Sequence, residues 1–137
     1  MDAATREFVW ERARGRCEYC RLHQDDADFL TFHVEHIIAE QHGGSNAVSN
    51  LCLSCPECNR FKGSDLASID IETGQVVRLF NPRTDDWSAH FRLQGGRIVP
   101  LTPIGRVTEY LLQFNRPENV ALRSTLRKAG DYPRWTL

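Results

Sequence analysis

His33-Val34-Glu35-His36-Ile37 opens the stretch that decides the fold, and Cys55-Pro56-Glu57-Cys58-Asn59-Arg60-Phe61-Lys62 closes it. Between them runs a polar loop that contains Gly43-Gly44 and Ser45-Asn46 and ends on Asn50-Leu51. Phe29 to Ile37 is rich in aromatic and β-branched residues and reads as a strand. Asn50 to Leu53 reads as a second, shorter strand. Pro56 stands where the first turn of a helix tolerates proline, and Gly63 ends that helix after Lys62. The expected core is therefore strand, loop, strand, helix. Alternate residues of a strand share a face, so His33 and Glu35 are expected on one side, and Phe32, Val34 and His36 on the other. A twist or bulge at the strand end would be needed to bring His36 beside Glu35.

Upstream, Cys17-Glu18-Tyr19-Cys20 repeats the cysteine spacing of Cys55 and Cys58. Two cysteines separated by two residues grip one tetrahedral metal from a single turn, and two such knuckles complete its shell. Four thiolates leave no open position, so the expected ion is a structural zinc, worth on the order of 10 kcal/mol of folding free energy. The plain alternative is four buried free thiols. Cys52 is the spare cysteine, placed between two leucines like a small buried hydrophobe, although an exchange with Cys55 as ligand is conceivable.

The rest of the chain frames this core. Ala3 to Arg14 reads as a helix with Phe8, Val9 and Ala13 on its apolar side and Gly15 as its stop. Beyond Gly63, Ala67 to Ile71 and Gln75 to Phe80 read as short strands, and Phe91 to Leu93 and Arg97 to Val99 flank a Gly95-Gly96 hairpin turn. Helices are expected from Thr102-Pro103 to about Phe114 and from Pro117 to about Lys128. The 137 residues fit one α+β domain (1–137), with the core motif at about 16–63 and a C-terminal extension at about 64–137. No segment resembles a signal peptide or a membrane span, which makes the cytoplasm the expected address and argues against disulfides. A net charge of −1 excludes a globally basic nucleic-acid binder; any such affinity must come from a local patch and a bound divalent ion.

Four positions carry candidate chemistry. Phosphodiester hydrolysis needs an activated water and a positive charge facing the phosphate. A histidine near neutrality, His36, accepts the water's proton, and the adjacent carboxylate, Glu35, holds a divalent cation. Asn59 offers a hard amide oxygen suited to Mg2+, and Asn50 can tie the loop after His36 and orient the imidazole. Arg60 and Lys62 are candidate contacts to flanking phosphates. Each has an ordinary alternative: a surface Glu-His pair, asparagines as caps or turn residues, and solvated helix charges.

The ordered set His33-x-Glu35-His36-Ile37, Gly43-Gly44, Asn50-Leu51 and Cys55-x-x-Cys58-Asn59-x-x-Lys62 resembles the HNH endonucleases, the ββα-metal (His-Me finger) nucleases. The likeness covers about Arg16 to Gly63. Leu79-Phe80-Asn81-Pro82-Arg83, Trp87 and His90-Phe91 also look like small stand-alone bacterial HNH proteins. The resemblance implies a metal-dependent DNA endonuclease with one catalytic ion. Glu35 and Asn59 would be its protein ligands, where many members have Asp and His; His36 would be the general base and Asn50 the structural asparagine. It makes this an H-N-N variant, for which oxygen donors favour Mg2+ or Mn2+. His33, on the face of Glu35, would touch phosphate or remain a plain surface histidine. Two alternatives stay open: a zinc-stapled DNA-binding or adaptor module without catalysis, and an RNA-directed nuclease.

Overall fold

The computed structural model describes residues 1–27 and 30–135. The first helix, α1 (Ala3–Ala13), starts where the Asp2 carboxylate accepts a hydrogen bond from the Thr5 amide at 2.8 Å. Val9 and Ala13 face the core. The helix stops because Arg14 and Gly15 both adopt left-handed backbone, at φ 56° and 68°. Gly15 is required for a second reason: a Cβ there would lie 3.0 Å from His23 Nε2. This turn delivers the chain into the first knuckle, which closes through Cys17 N to Leu22 O (2.8 Å) and Arg21 N to Cys17 O (3.0 Å).

β1 (His33–His36) pairs antiparallel with β2 (Leu51–Ser54), with Glu35 opposite Cys52 and His36 opposite Leu51. α2 (Pro56–Lys62) follows at once. Cys55 caps it, its sulfur accepting from the Cys58 amide, and Gly63 at φ 51° ends it. The expected strand–loop–strand–helix order is present, with shorter strands. β1 begins at His33, not Phe29, which lies outside the described residues, and Leu30 to Phe32 are not in the sheet. Asn50 forms a short 3-10 turn ahead of β2 instead of opening it.

The C-terminal portion contains two hairpins and three helices: β3 (Ala67–Ile69) with β4 (Val76–Arg78), α3 (Trp87–His90), β5 (Phe91–Gln94) with β6 (Arg97–Pro100), α4 (Pro103–Leu111) and α5 (Pro117–Lys128). The two strands expected from Ala67 and Gln75 are shorter than their apolar runs because Asp70 to Gly74 fold into a turn, with Gly74 N donating to Asp70 O at 2.7 Å. Helix α4 ends before Phe114 because Gln113 turns left-handed at φ 57°, and Phe114 N donates back to Glu109 O. α3 has no counterpart among the sequence expectations; one helical turn is too short for a periodic signal.

A single cluster of buried side chains joins both portions, including Val9, Leu51 and Leu53 from one and Phe80, Trp87, Phe91, Ile98 and Phe114 from the other. Three polar contacts rivet the extension onto the first knuckle. Trp87 Nε1 donates to Tyr19 O at 2.8 Å, and the Tyr132 hydroxyl donates to Cys20 O at 2.7 Å. Arg83 pairs with the buried Glu18 carboxylate, whose other oxygen accepts from Leu53 N at 2.9 Å. Buried carbonyls and carboxylates must be satisfied, so these donors hold the knuckle's backbone in place. Among the described residues, no helix is long and apolar enough to cross a membrane.

Candidate active site and metal centre

The four cysteines of the two knuckles meet. Cys17, Cys20, Cys55 and Cys58 are buried, and their sulfurs all lie within 4.8 Å of one another, with Cys20 and Cys55 at 3.9 Å. Thiolates about 2.3 Å from a tetrahedral zinc sit a little under 4 Å apart, so a small contraction of the cluster suffices to hold the ion. The four thiols are electrostatically linked: contacts with Cys17 and Cys20 hold Cys55 and Cys58 well above the ordinary thiol value. Complete burial raises the Cys17 thiol's pKa, but hydrogen bonding from Cys20, Cys55 and Cys58 overrides it and holds the group well below the ordinary thiol value. With four soft, buried donors and no open position, the centre suits a structural metal such as zinc. Cys52 is apart from the cluster. Burial pushes its thiol up to about 12, and its sulfur lies 3.7 Å from the Tyr19 hydroxyl, in keeping with a packed, neutral residue.

A cleft of about 350 Å3 is lined by Glu35, His36, Glu40, Asn59, Arg60 and Lys62, together with Tyr19 and Ser54. Asn59, on the first turns of α2, donates from Nδ2 to Glu35 Oε1 at 3.2 Å. Of the twist or bulge expected to bring His36 beside Glu35, a bulge is absent: the β1–β2 register is unbroken through both residues. A two-stranded ribbon is strongly twisted and β1 has no second neighbour, so side chains from both of its faces reach past the edge into one cleft.

The loop between the strands is held by Asn50. Its Oδ1 accepts from Ile38 N, and its Nδ2 donates to Ile38 O and Ser45 O, each at 2.9 Å. The expectation that Asn50 ties the loop matches this geometry. Orienting the imidazole falls to a residue the sequence reading missed: His36 Nε2 lies 2.7 Å from Asn46 Oδ1, and Glu40 Oε1 stands 3.5 Å from the same nitrogen. The available signal was Asn46 itself, an amide just after Gly43-Gly44 in a loop that must return to its starting strand. Gly44 makes that return possible, since a Cβ there would fall 1.7 Å from Ile38 O.

The basic candidates divide. Arg60 borders the cleft and lies over the Phe61 ring at 4.7 Å. Lys62 was expected to reach phosphate, but it is buried, 5% exposed, and its ammonium donates to Ile37 O at 2.9 Å. Burial lowers its pKa. The lysine is tied to the end of β1, where the loop leaves the strand, and its side chain also lines the cleft. His33 is exposed, borders a separate hollow and lies outside the main cleft.

Compared with protein-family models, residues 17–65 match the one described as HNH endonuclease. The likeness to HNH endonucleases is thus confined to this segment. It spans both cysteine knuckles, β1, the Asn50-tied loop, β2 and α2, so the matched residues and the cleft coincide. Neither a curated protein nor a solved structure matches the chain.

Proposed function

We propose that the chain is a metal-dependent endonuclease that hydrolyses phosphodiester bonds of DNA in the cleft bordered by Glu35, His36, Asn59 and Arg60. The observation that carries this reading is the convergence of a histidine, a carboxylate and a carboxamide in one cleft of an HNH segment, beside an arginine. His36 acts as general base. Its Nε2 hydrogen donates to Asn46 Oδ1, which leaves the Nδ1 lone pair to accept a proton from the attacking water. Glu40 stabilises the imidazolium that results.

Glu35 and Asn59 are the residues that would hold the catalytic ion. A carboxylate and an amide turned to present its oxygen form a hard donor pair, and at 3.2 Å their side chains already converge. When bound, Mg2+ or Mn2+ supplies positive charge to the phosphate oxygens as the scissile bond breaks. Arg60 adds a fixed cation at the rim of the cleft for a flanking phosphate. The cysteine cluster takes no part in the chemistry. Its role is to hold β2 and α2 at the angle that brings Asn59 to Glu35.

The test is cleavage of supercoiled plasmid by zinc-loaded protein, with and without added Mg2+ or Mn2+, beside His36→Ala and Glu35→Gln. Metal-dependent nicking that disappears in both variants is expected. Undiminished cleavage by Glu35→Gln removes that residue as a ligand. Absence of cleavage by folded, zinc-loaded protein overturns the nuclease and leaves a binding module. Cleavage of single-stranded RNA but not of plasmid retains the chemistry and replaces the substrate.

A further inference from the structure

The HNH match begins at residue 17, yet α1 packs against β1, whose Glu35 lines the cleft. A second hollow, of about 370 Å3, is lined by Arg6, Trp10, Phe32, His33, Val34 and Glu35. Glu35 belongs to both, so the hollow and the cleft meet along β1. Arg6 and Trp10 are four residues apart on α1 and therefore stand one turn above the other on one helix face. Arg6 is exposed and makes no ion pair among the described residues. Trp10 is half-buried, with one edge against Gly15 and the rest of the ring bordering the hollow. His33 completes the wall two residues before Glu35, about 6.6 Å along the strand.

A cation, an aromatic face and a histidine, set beside the residue expected at the scissile phosphate, match the repeating chemistry of a nucleic-acid strand. Arginine pairs with phosphate oxygens, and the indole gives a base or sugar a flat apolar surface. We infer that Arg6, Trp10 and His33 form a binding subsite for the nucleotide adjoining the cleaved bond, so that α1 serves as part of the substrate groove as well as a packing element. This inference rests on the nuclease reading above. It adds that substrate runs along β1 toward α1, outside the HNH segment. It also gives a role to the His33 side chain, which makes no hydrogen bond among the described residues.

The test uses the full chain loaded with zinc and a short fluorescein-labelled DNA duplex, titrated without added Mg2+ at several salt concentrations. Arg6→Gln is the principal variant, because an exposed, unpaired arginine is not needed for folding. Trp10→Leu is the second, and Arg92→Gln, an exposed arginine of β5, is the charge control. Arg6→Gln is expected to weaken binding about tenfold and to lower the slope of log K against log salt by about one, with the melting temperature unchanged. Trp10→Leu is expected to weaken binding similarly and to abolish the duplex-induced quenching of tryptophan fluorescence. Arg92→Gln should behave as wild type. If wild type binds and cleaves while Arg6→Gln and Trp10→Leu match it in affinity, slope and cleavage, the subsite is refuted and the nuclease stands. If wild type neither binds nor cleaves, the nuclease reading has failed and the subsite falls with it. An equal loss in Arg92→Gln shows a diffuse charge effect and also overturns the assignment.

Discussion

Replacing Gly44 by alanine probes how the loop between β1 and β2 aims His36. An ideal Cβ at this position lies 1.7 Å from Ile38 O, 2.6 Å from Ile38 C and 2.9 Å from Asn50 Nδ2. Two of these atoms are backbone, so no side-chain rotation relieves the contact. The two strands of the loop must part by more than 1 Å to reach ordinary separation. That movement breaks the bonds of Asn50 to Ile38 N, Ile38 O and Ser45 O, each 2.9 Å long. At about 1 kcal/mol net apiece, the loop loses roughly 2–3 kcal/mol of local stability. The cysteine cluster and the buried core do not include this loop, so folding and metal content should survive. Asn46 moves with the loop, and its 2.7 Å contact to His36 Nε2 is lost. A misplacement of about 1 Å at a catalytic group costs roughly 100-fold in rate. The assay is plasmid nicking under single-turnover conditions, with zinc content and thermal melting measured on the same samples. The expected result is a rate about two orders of magnitude lower in a protein that retains its zinc. A Gly44→Ala protein that cleaves at the wild-type rate would refute the claim that this loop positions the base.

Three further outcomes follow from the fold. Cys17→Ser should abolish zinc binding and cooperative melting, since the cluster supplies on the order of 10 kcal/mol; retention of a wild-type melting curve without zinc would contradict this. Lys62→Met should lower stability by about 1–3 kcal/mol, by leaving Ile37 O without its donor, and leave the salt dependence of DNA binding untouched. A lower salt slope with unchanged stability would return Lys62 to the phosphate. Asp70 is held at about 2 by the Arg106 guanidinium, helped by Thr73 and the Glu72 amide, below its usual 3.8. A carboxyl lowered by folding stabilises the fold above its unfolded pKa, and that contribution fades as pH falls from about 4 to about 2. The difference in urea midpoint between wild type and Asp70→Asn should therefore be constant above about pH 4 and shrink below it; a difference independent of pH would show that the pair does not stabilise through charge.

What could be read in the sequence was whatever depends on local spacing. The knuckles at Cys17-Cys20 and Cys55-Cys58 are recognisable because one tetrahedral ion dictates the two-residue gap, and α2 because Pro56 and Gly63 bracket it. Asn50 was legible as a loop tie. Asn46 was not, because its meeting with His36 depends on how the loop folds back around Gly44 and not on spacing. The bond of Lys62 was illegible for a related reason: charge in a helix suggests solvent, and only the packing of α2 against the end of β1 brings its ammonium to Ile37 O. The sequence called for a twist or a bulge at His36, because strict strand alternation assumes a flat sheet. A twisted two-stranded ribbon relaxes that rule. The hollow beside α1 could not be foreseen, since Arg6 and His33 are brought together only by tertiary packing.

The rivets from Trp87 and Tyr132 onto the first knuckle bear on portability. Residue 65 bounds the resemblance, but the donors for Tyr19 O and Cys20 O come from well beyond it. A graft of residues 17–65 into a foreign scaffold would carry the cysteines, the histidine and the asparagines, yet expose or orphan two carbonyls inside its own metal turn. Each orphan would cost about 1–3 kcal/mol unless the host supplied a donor from the same direction. An engineer moving this module would have to transplant its supports along with its motif.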